Sequence, residues 1–348
     1  MRARRHLFWH AYIVPASVVV GLIAGGWYTF TTLVLLLVID PLIDALLGDD
    51  LRNPRSEEIA ELERNRSWDW PLWLAVPTQL AVIGLGLWAI GNLDVSPLEQ
   101  IGLTVSVGLS SGSLGITVAH ELMHRTNWKD RLLSTILMTS TSYPHFSIEH
   151  VHGHHRNVGL HQDPATARKG EGYYAFLRRV LVESLASAWQ IECTRLERRG
   201  KMPKSLANRM VLYGLALTLV YVTILIVFGW GGVLFFAAQS FVAVAELEMI
   251  NYIEHYGLVR RRDEGALEPM AARHAWDTNS ALTNWHLFQL GRHADHHLHA
   301  GRRYQLLESL EKSPRLPGGY PVMILLALLP PLWLRVMNRR LNAIDQQG

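Results

Sequence analysis

The sequence predicts an all-α membrane protein with six transmembrane helices and a cytoplasmic helical cap. Three observations lead to this prediction. Long apolar runs are free of charged residues and reach the roughly 20 residues that a helix needs to cross a bilayer. Lysine and arginine are absent from residues 6–51, 67–124 and 210–259. Nine histidines fall into four clusters, and two of these clusters follow directly on apolar runs.

The predicted spans are the six longest apolar stretches of the chain. The first begins after a basic Met-Arg-Ala-Arg-Arg start, as a signal peptide does. It has no small-residue cleavage site and continues into a second apolar run, so we expect it to be retained as a span. Glycine pairs are expected to form the turns after the first and fifth spans. The six spans cover residues 8–25, 28–47, 71–91, 98–119, 211–229 and 232–250.

The distribution of basic residues predicts the orientation. With six spans, every lysine and arginine lies on one side of the membrane, and the positive-inside rule makes that side cytoplasmic. All four histidine clusters fall on the same side. We therefore expect residues 1–348 to form a single membrane-bound domain, with residues 120–209 and 251–348 as its cytoplasmic catalytic segments.

Composition excludes several classes of protein. The formal net charge is only +3, which gives no reason to expect nucleic-acid binding. The chain has a single cysteine, Cys193, which excludes an internal disulfide and a metal site of the CxxC type. Hydrophobic residues make up 49% of the sequence, and their arrangement in long runs free of charge is typical of a multi-pass membrane protein.

The histidine clusters have the spacing of metal ligands. Side chains three or four residues apart project from the same face of a helix, so three of the four clusters can each direct several rings towards one point, while His255 stands alone in NYIEHYG. We interpret all nine as ligands of one metal centre. They are His120, His124, His150, His154, His155, His255, His293, His296 and His297.

Nine ligands are too many for one ion, because a structural zinc takes four. Two ions with four or five nitrogens each would use the whole set, and imidazole suits iron, copper, zinc and nickel. A bis-histidine haem is the other interpretation, but it needs facing histidines inside the spans, where only His10 lies. Four carboxylates beside the clusters are expected to orient the rings. They are Glu121, Glu149, Glu254 and Asp295.

Eight further histidines are predicted to be ordinary polar residues. His152 lies within a cluster but off its helical register, and if the ligand set omits a residue, we expect it to be this one. The eight are His6, His10, His145, His152, His161, His274, His286 and His299.

Four stretches resemble a known family, the integral-membrane non-haem di-iron alkane 1-monooxygenases of the fatty-acid desaturase and hydroxylase superfamily. The likeness to this family extends over nearly the whole chain, and the fourth stretch is the one most specific to the family. The stretches read HELMHR from His120, EHVHGHHRNVGLHQDPATARKGE from Glu149, NYIEHYGL from Asn251 and GRHADHHLHAGRRYQLL from Gly291.

This resemblance implies two iron ions held by the nine histidines chosen above by spacing. It also implies O2-dependent hydroxylation of n-alkanes to primary alcohols at the cytoplasmic face of the bacterial inner membrane. The substrate would lie among apolar side chains of the spans, where Trp27 or Trp88 could limit the depth of the channel.

The family implies rubredoxin with its reductase as the electron donor, since the chain has neither a flavin motif nor a cysteine cluster. Rubredoxins are acidic, so basic residues near the clusters could steer the donor. The alternative is that these residues only reflect membrane orientation. They are Arg125, Lys129, Arg131, Arg178, Arg179, Arg302 and Arg303.

Three other functions are considered. A lipid desaturase would use the same centre, but its second box typically reads HxxHH, whereas this chain has HxxxHH at residues 150–155. A methyl hydroxylase of alkyl-aromatics such as xylene or cymene is closer, and the sequence separates it less well. A non-catalytic metal carrier would not need a closed cage of nine histidines.

Overall fold

The computed structural model describes residues 2–263 and 266–345, and these residues form an all-α fold, as predicted. The one exception is a short antiparallel pair of strands, β1 (Arg262–Asp263) and β2 (Ala266–Leu267). Helices therefore provide the framework for every cluster of histidines.

Sixteen α-helices are present in the described residues. They are α1 (Ile13–Ala24), α2 (Thr31–Val34), α3 (Asp40–Leu47), α4 (Ser56–Arg64), α5 (Trp70–Asn92), α6 (Pro97–Ser110), α7 (Thr117–Met123), α8 (Trp128–Ser140), α9 (Phe146–Glu149), α10 (His155–Asn157), α11 (Tyr173–Glu197), α12 (Arg209–His255), α13 (Ala281–His286), α14 (His293–Leu298), α15 (Tyr320–Ala327) and α16 (Pro330–Asp345).

Tighter and wider helical turns join several of these helices into longer rods. The tighter 3₁₀ turns are Arg2–Tyr12, Gly26–Phe30, Arg66–Trp68, Ala272–His274 and Tyr304–Leu306. The wider π turns are Leu35–Ile39, Ser111–Ile116 and His150–His154. π turns are rare and occur frequently at functional sites.

Five helical rods are long and apolar enough to cross a membrane. They are Arg5–Ala24, Gly26–Leu47, Arg66–Asn92, Pro97–Met123 and Arg209–His255. Many of their side chains face outward, including Ile23 at 81% exposure and Ile226 at 78%. Exposed apolar surface of this extent suits contact with lipid rather than water.

The last of these rods folds back on itself at Gly229. This residue has φ 66° and ψ −166°, a backbone conformation that is essentially restricted to glycine. The rings of Tyr221 and Phe236 lie only 5.3 Å apart. Fifteen residues of straight helix would separate them by about 22 Å, so the two halves of α12 run antiparallel.

Polar side chains hold the helices together inside the bundle. The Gln79 amide donates to Ser111 Oγ at 2.5 Å, and Ser111 Oγ lies 2.8 Å from the Gln239 side-chain oxygen. These three residues come from three different rods, and Gln79 and Gln239 are fully buried. Hydrogen bonds of this kind stabilise helix association where the surroundings are apolar.

The carboxyl ends of two rods meet at one end of the bundle. Helix α7 ends at Met123 and carries His120, while α12 ends at His255. The π turn His150–His154 and helix α14 approach the same place from the polar segments of the chain. The fold thus brings together residues that are up to 177 positions apart in the sequence, from His120 to His297.

Candidate metal centre

The nine predicted ligands converge into two adjacent groups. Within each group, one nitrogen atom of every ring lies within 4.8 Å of those of the other rings. The first group has five members, which are His120, His124, His150, His155 and His296. The second has four, which are His154, His255, His293 and His297. We call them the five-histidine group and the four-histidine group.

A π turn explains how one short segment serves both groups. His150–His154 winds with an extra residue per turn, which brings His155 nearly above His150. Their Nε2 atoms are 3.0 Å apart, and both belong to the five-histidine group. His154, the neighbour of His155, points instead to the four-histidine group. A regular α-helix would not place these three rings in this way.

The five-histidine group is a chain of close nitrogen atoms. The Nε2 atoms of His120 and His150 are 2.9 Å apart, and those of His155 and His296 are 3.1 Å apart. His124 completes the group, and its Nε2 atom is buried without a hydrogen-bond partner among the described residues.

The four-histidine group also contains closely spaced ring nitrogen atoms. His293 Nε2 lies 3.0 Å from His255 Nε2 and 2.9 Å from His297 Nε2. The fourth member, His154, has a buried Nε2 atom with no hydrogen-bond partner among the described residues. All four rings are buried.

Hydrogen bonding between the rings does not account for this geometry. A ring nitrogen offers either one proton or one lone pair, so it can form only one linear hydrogen bond. His150 Nε2 nevertheless has two close nitrogen neighbours, and so has His293 Nε2. Adjacent ligands of an ion bound at about 2.1 Å would lie about 3.0 Å apart, as these atoms do. The residues therefore fit bound metal ions.

Burial keeps most of these rings neutral, which is the form that binds metals. It holds the pKa of His150, His293, His296 and His297 well below the usual histidine value. His154 differs. Burial alone would lower its pKa too, but the carboxylate of Asp163 raises it above the usual value.

Asp163 orients a ring that the sequence did not connect with it. Its Oδ2 atom lies 2.8 Å from His154 Nδ1, and both side chains are fully buried. Asp163 also accepts hydrogen bonds from Thr166 and from the Ala165 backbone, which hold the carboxylate in place. A carboxylate so placed leaves Nε2 of His154 free to bind a metal.

Of the four carboxylates predicted to orient rings, one lies against a predicted ligand. Glu254 Oε1 is 3.2 Å from His293 Nδ1. The other three have different partners in the described contacts. Glu121 binds Arg125 and the Tyr304 amide, Glu149 binds Ser187, and Asp295 binds Arg302 and His299.

Replacing Asp163 with asparagine is expected to weaken metal binding about 10- to 100-fold, because His154 loses the negative charge that fixes its ring. The metal retained during titration with a chelator measures this change. Asp94→Asn alters an exposed carboxylate and is the matched control. Equal metal retention in the two variants would contradict this role for Asp163.

The other histidines lie outside the two groups. His152 and His161 are exposed, and His299 lies 2.9 Å from Asp295. His286 is buried, with Nδ1 3.1 Å from Asp40 Oδ2. None of the eight that the sequence set aside joins the candidate metal ligands in the described part of the chain.

An apolar cavity of about 380 Å³ leads away from the histidines. His120 and His293, one from each group, form part of its wall. Leu109 and Phe241 line it further along the rods. Trp27 and Trp88, suggested above as limits of the channel, do not line it and are exposed on the outside of the bundle.

Comparisons with known proteins assign the family. Residues 99–326 match the fatty acid desaturase family, a range that contains all nine histidines. Alkane 1-monooxygenase 2 of Alcanivorax borkumensis is 38% identical over 97% of this chain and 90% of that protein. The chain belongs to the alkane 1-monooxygenase family. The alkane 1-monooxygenase of Acinetobacter baylyi is 35% identical, over 97% of this chain and 85% of that protein.

The chain is also similar, at lower identity, to a protein with a different name. The xylene/toluene monooxygenase hydroxylase component of Pseudomonas putida is 29% identical over 97% of this chain and 89% of that protein. As a member of the alkane 1-monooxygenase family, the chain is an oxidoreductase of a non-haem iron class. Both the long apolar rods and the two histidine groups agree with this assignment.

Proposed function

We propose that the protein uses O2 to hydroxylate the terminal methyl group of n-alkanes, giving primary alcohols. The cavity is the observation that carries this proposal. Most of its surface is apolar and it ends at His120 and His293, so a hydrocarbon chain inside it would present one end to both histidine groups. Apolar pockets of this size are typical small-molecule sites.

We propose two iron ions as the cofactor, one in each histidine group. Bound there, they would supply the reduction of O2 and the oxidation of a carbon–hydrogen bond. The five-histidine group is His120, His124, His150, His155 and His296, and the four-histidine group is His154, His255, His293 and His297. We assign the catalytic role to these nine residues.

The protein's own contribution is binding, orientation and exclusion of water. Ile116, Leu287 and Leu290 line the part of the cavity close to the histidines and would hold an unreactive chain by burying its surface. The apolar side chains around this part of the cavity also keep water away from the reacting end of the alkane. An alkane is flexible and has no polar group that the protein could bind. The shape of the cavity must therefore determine which carbon reaches the metal centre.

We propose that the rods cross the bacterial inner membrane as six spans. The reversal at Gly229 supports this count, since it divides the 47 residues of α12 into two antiparallel apolar helices. The lysine- and arginine-rich segments then lie in the cytoplasm together with the histidine groups. In this arrangement residues 120–209 and 251–348 contain the cytoplasmic helical cap.

Electrons would come from rubredoxin with its reductase. Four of the seven basic residues considered for steering already have acidic partners, since Arg125 and Arg303 contact Asp69, Arg179 contacts Glu171 and Arg302 contacts Asp295. The remaining three, Lys129, Arg131 and Arg178, are exposed. We propose these three as the basic contribution to docking of an acidic donor.

Product analysis tests the proposed function. The protein in membranes, supplied with rubredoxin, its reductase, NADH and O2, is incubated separately with n-octane, n-decane and p-xylene. We expect 1-octanol and 1-decanol, with slower conversion of p-xylene. An olefin product would instead identify a desaturase, and faster conversion of p-xylene would favour the alkyl-aromatic alternative suggested by the more distant relative.

A further inference from the structure

The cavity that would hold the alkane is lined by three carboxyl groups, those of Asp40, Glu246 and Glu254, and among them only Glu246 has a buried oxygen without a hydrogen-bond partner in the described residues. Glu246 lies on the second half of α12 and is part of the cavity wall. Its Oε1 atom accepts a hydrogen bond of 2.6 Å from Ser113 Oγ on the neighbouring rod. Its Oε2 atom is buried and has no hydrogen-bond partner in the described part of the chain.

The need to hold two helices together does not by itself explain the carboxyl group of Glu246. One polar atom is enough to bond Ser113 across the helix interface, as glutamine or serine side chains do elsewhere in such bundles. A carboxyl group adds a second oxygen, which costs free energy when it is buried unpaired. Ionisable residues inside membrane spans are rare and usually functional.

The local packing makes room for this second oxygen. Gly112 faces Glu246, and a Cβ atom at Gly112 would overlap with Oε2. Gly112 also lines the cavity, so the absence of a side chain there leaves Oε2 beside the cavity space. Ser113, the next residue, fixes the other oxygen, and the carboxyl group is therefore held in one orientation.

From this geometry we propose that the cavity also binds chains that carry a hydroxyl group, with the O–H donating to Glu246 Oε2. This rests on the proposed function, because oxidation takes place at the far methyl end. A primary alcohol would become a diol: O2, two electrons from the external donor and two protons convert the methyl group to CH2OH and release one water.

The position of Glu246 sets the preferred length of such a substrate. Glu246 precedes His255 by nine residues, or about 13 Å of helix, and its partner Ser113 precedes His120 by seven, or about 10 Å. An extended chain advances about 1.3 Å per carbon, given bonds of about 1.5 Å. The hydroxyl and the reacting methyl group would thus be separated by about eight to ten carbons.

The test compares three substrates of equal chain length in membranes with the complete donor system. They are n-decane, 1-decanol and 1-fluorodecane, whose fluorine resembles a hydroxyl in size but has no proton to donate. In the wild type we expect kcat/KM for 1,10-decanediol formation to exceed that for 10-fluoro-1-decanol by about tenfold or more.

Two variants test the role of the carboxyl group. Glu246→Leu is expected to bring the ratio of 1-decanol to 1-fluorodecane close to one. Glu246→Gln keeps an acceptor oxygen and is expected to retain most of the preference. An unchanged ratio in Glu246→Leu overturns the inference. Equal conversion of 1-decanol and 1-fluorodecane by the wild type also overturns it, and this measurement does not depend on whether a variant folds.

The n-decane measurement separates this inference from the proposed function. If the wild type converts n-decane to 1-decanol but does not discriminate between the other two substrates, only the inference fails. If n-decane itself gives no alcohol, the proposed function fails.

Discussion

His255→Ala is expected to lose more than about 100-fold in n-octane hydroxylation and to retain one iron or fewer per chain, compared with the two that we propose for the wild type. His255 is fully buried, and its Nε2 atom lies 3.0 Å from that of His293 within the four-histidine group. Alanine would leave three ligands and an apolar gap at this site. Iron content by mass spectrometry and 1-octanol by gas chromatography measure the two effects.

His152→Ala is the control for this prediction. His152 lies between His150 and His154 in the sequence, but its side chain is exposed and outside both groups. Exposed substitutions usually change stability by less than about 0.5 kcal/mol, so we expect nearly full iron content and activity. Full activity and iron in His255→Ala would contradict the assignment of the four-histidine group.

Leu109→Trp is expected to shorten the range of alkanes that the protein accepts. Leu109 lines the cavity and precedes His120 by eleven residues, or about 16 Å of helix. A chain of eight carbons extends about 9 Å and one of sixteen about 19 Å, so only the longer chain reaches this position. The indole would occupy that space. The ratio of n-hexadecane to n-octane conversion should fall more than about tenfold.

The matched control places a tryptophan outside the cavity. Leu215 is 55% exposed on the first half of α12 and does not line the cavity, so Leu215→Trp should leave the chain-length ratio unchanged. If Leu109→Trp and Leu215→Trp gave the same ratio as the wild type, the cavity would not be the path of the alkane.

The apolar rods could be predicted from the sequence because their signal is local. An uncharged run of about 20 residues has few alternatives to a membrane helix. The turn at Gly229 was equally visible, since glycine alone tolerates its backbone conformation without strain. The choice of eight histidines rested on short spacings within clusters and that of His255 on its position just after the sixth predicted span, and the structure brings all nine side chains together.

The division of these histidines between two groups could not be predicted. Spacing arguments assume an α-helix, but residues 150–154 form a π turn, which directs His154 and His155 to different groups. Asp163 follows His154 by nine residues in an irregular segment, so no periodicity connected the two. The contacts of Glu121 and Asp295 with arginines depend on tertiary packing, which also lies outside what local patterns show.

The cavity and the place of Glu246 in its wall were also beyond the sequence argument. Glu246 stands within an apolar run, and the sequence shows neither its bond to Ser113 nor the space beside Gly112. Both depend on the register between two rods that are more than 100 residues apart in the chain, which only the packed structure determines.

Two short segments each contribute to both histidine groups, and this has a consequence for assembly of the cofactor. His150 and His155 serve one group while His154 serves the other, and α14 divides His296 from His293 and His297 in the same way. An ion bound by either histidine group would order segments that also carry ligands of the other group. Binding of the first ion therefore lowers the entropic cost of binding the second. Iron uptake should therefore be cooperative, and protein given half its full complement should separate into filled and empty molecules with few that hold a single ion.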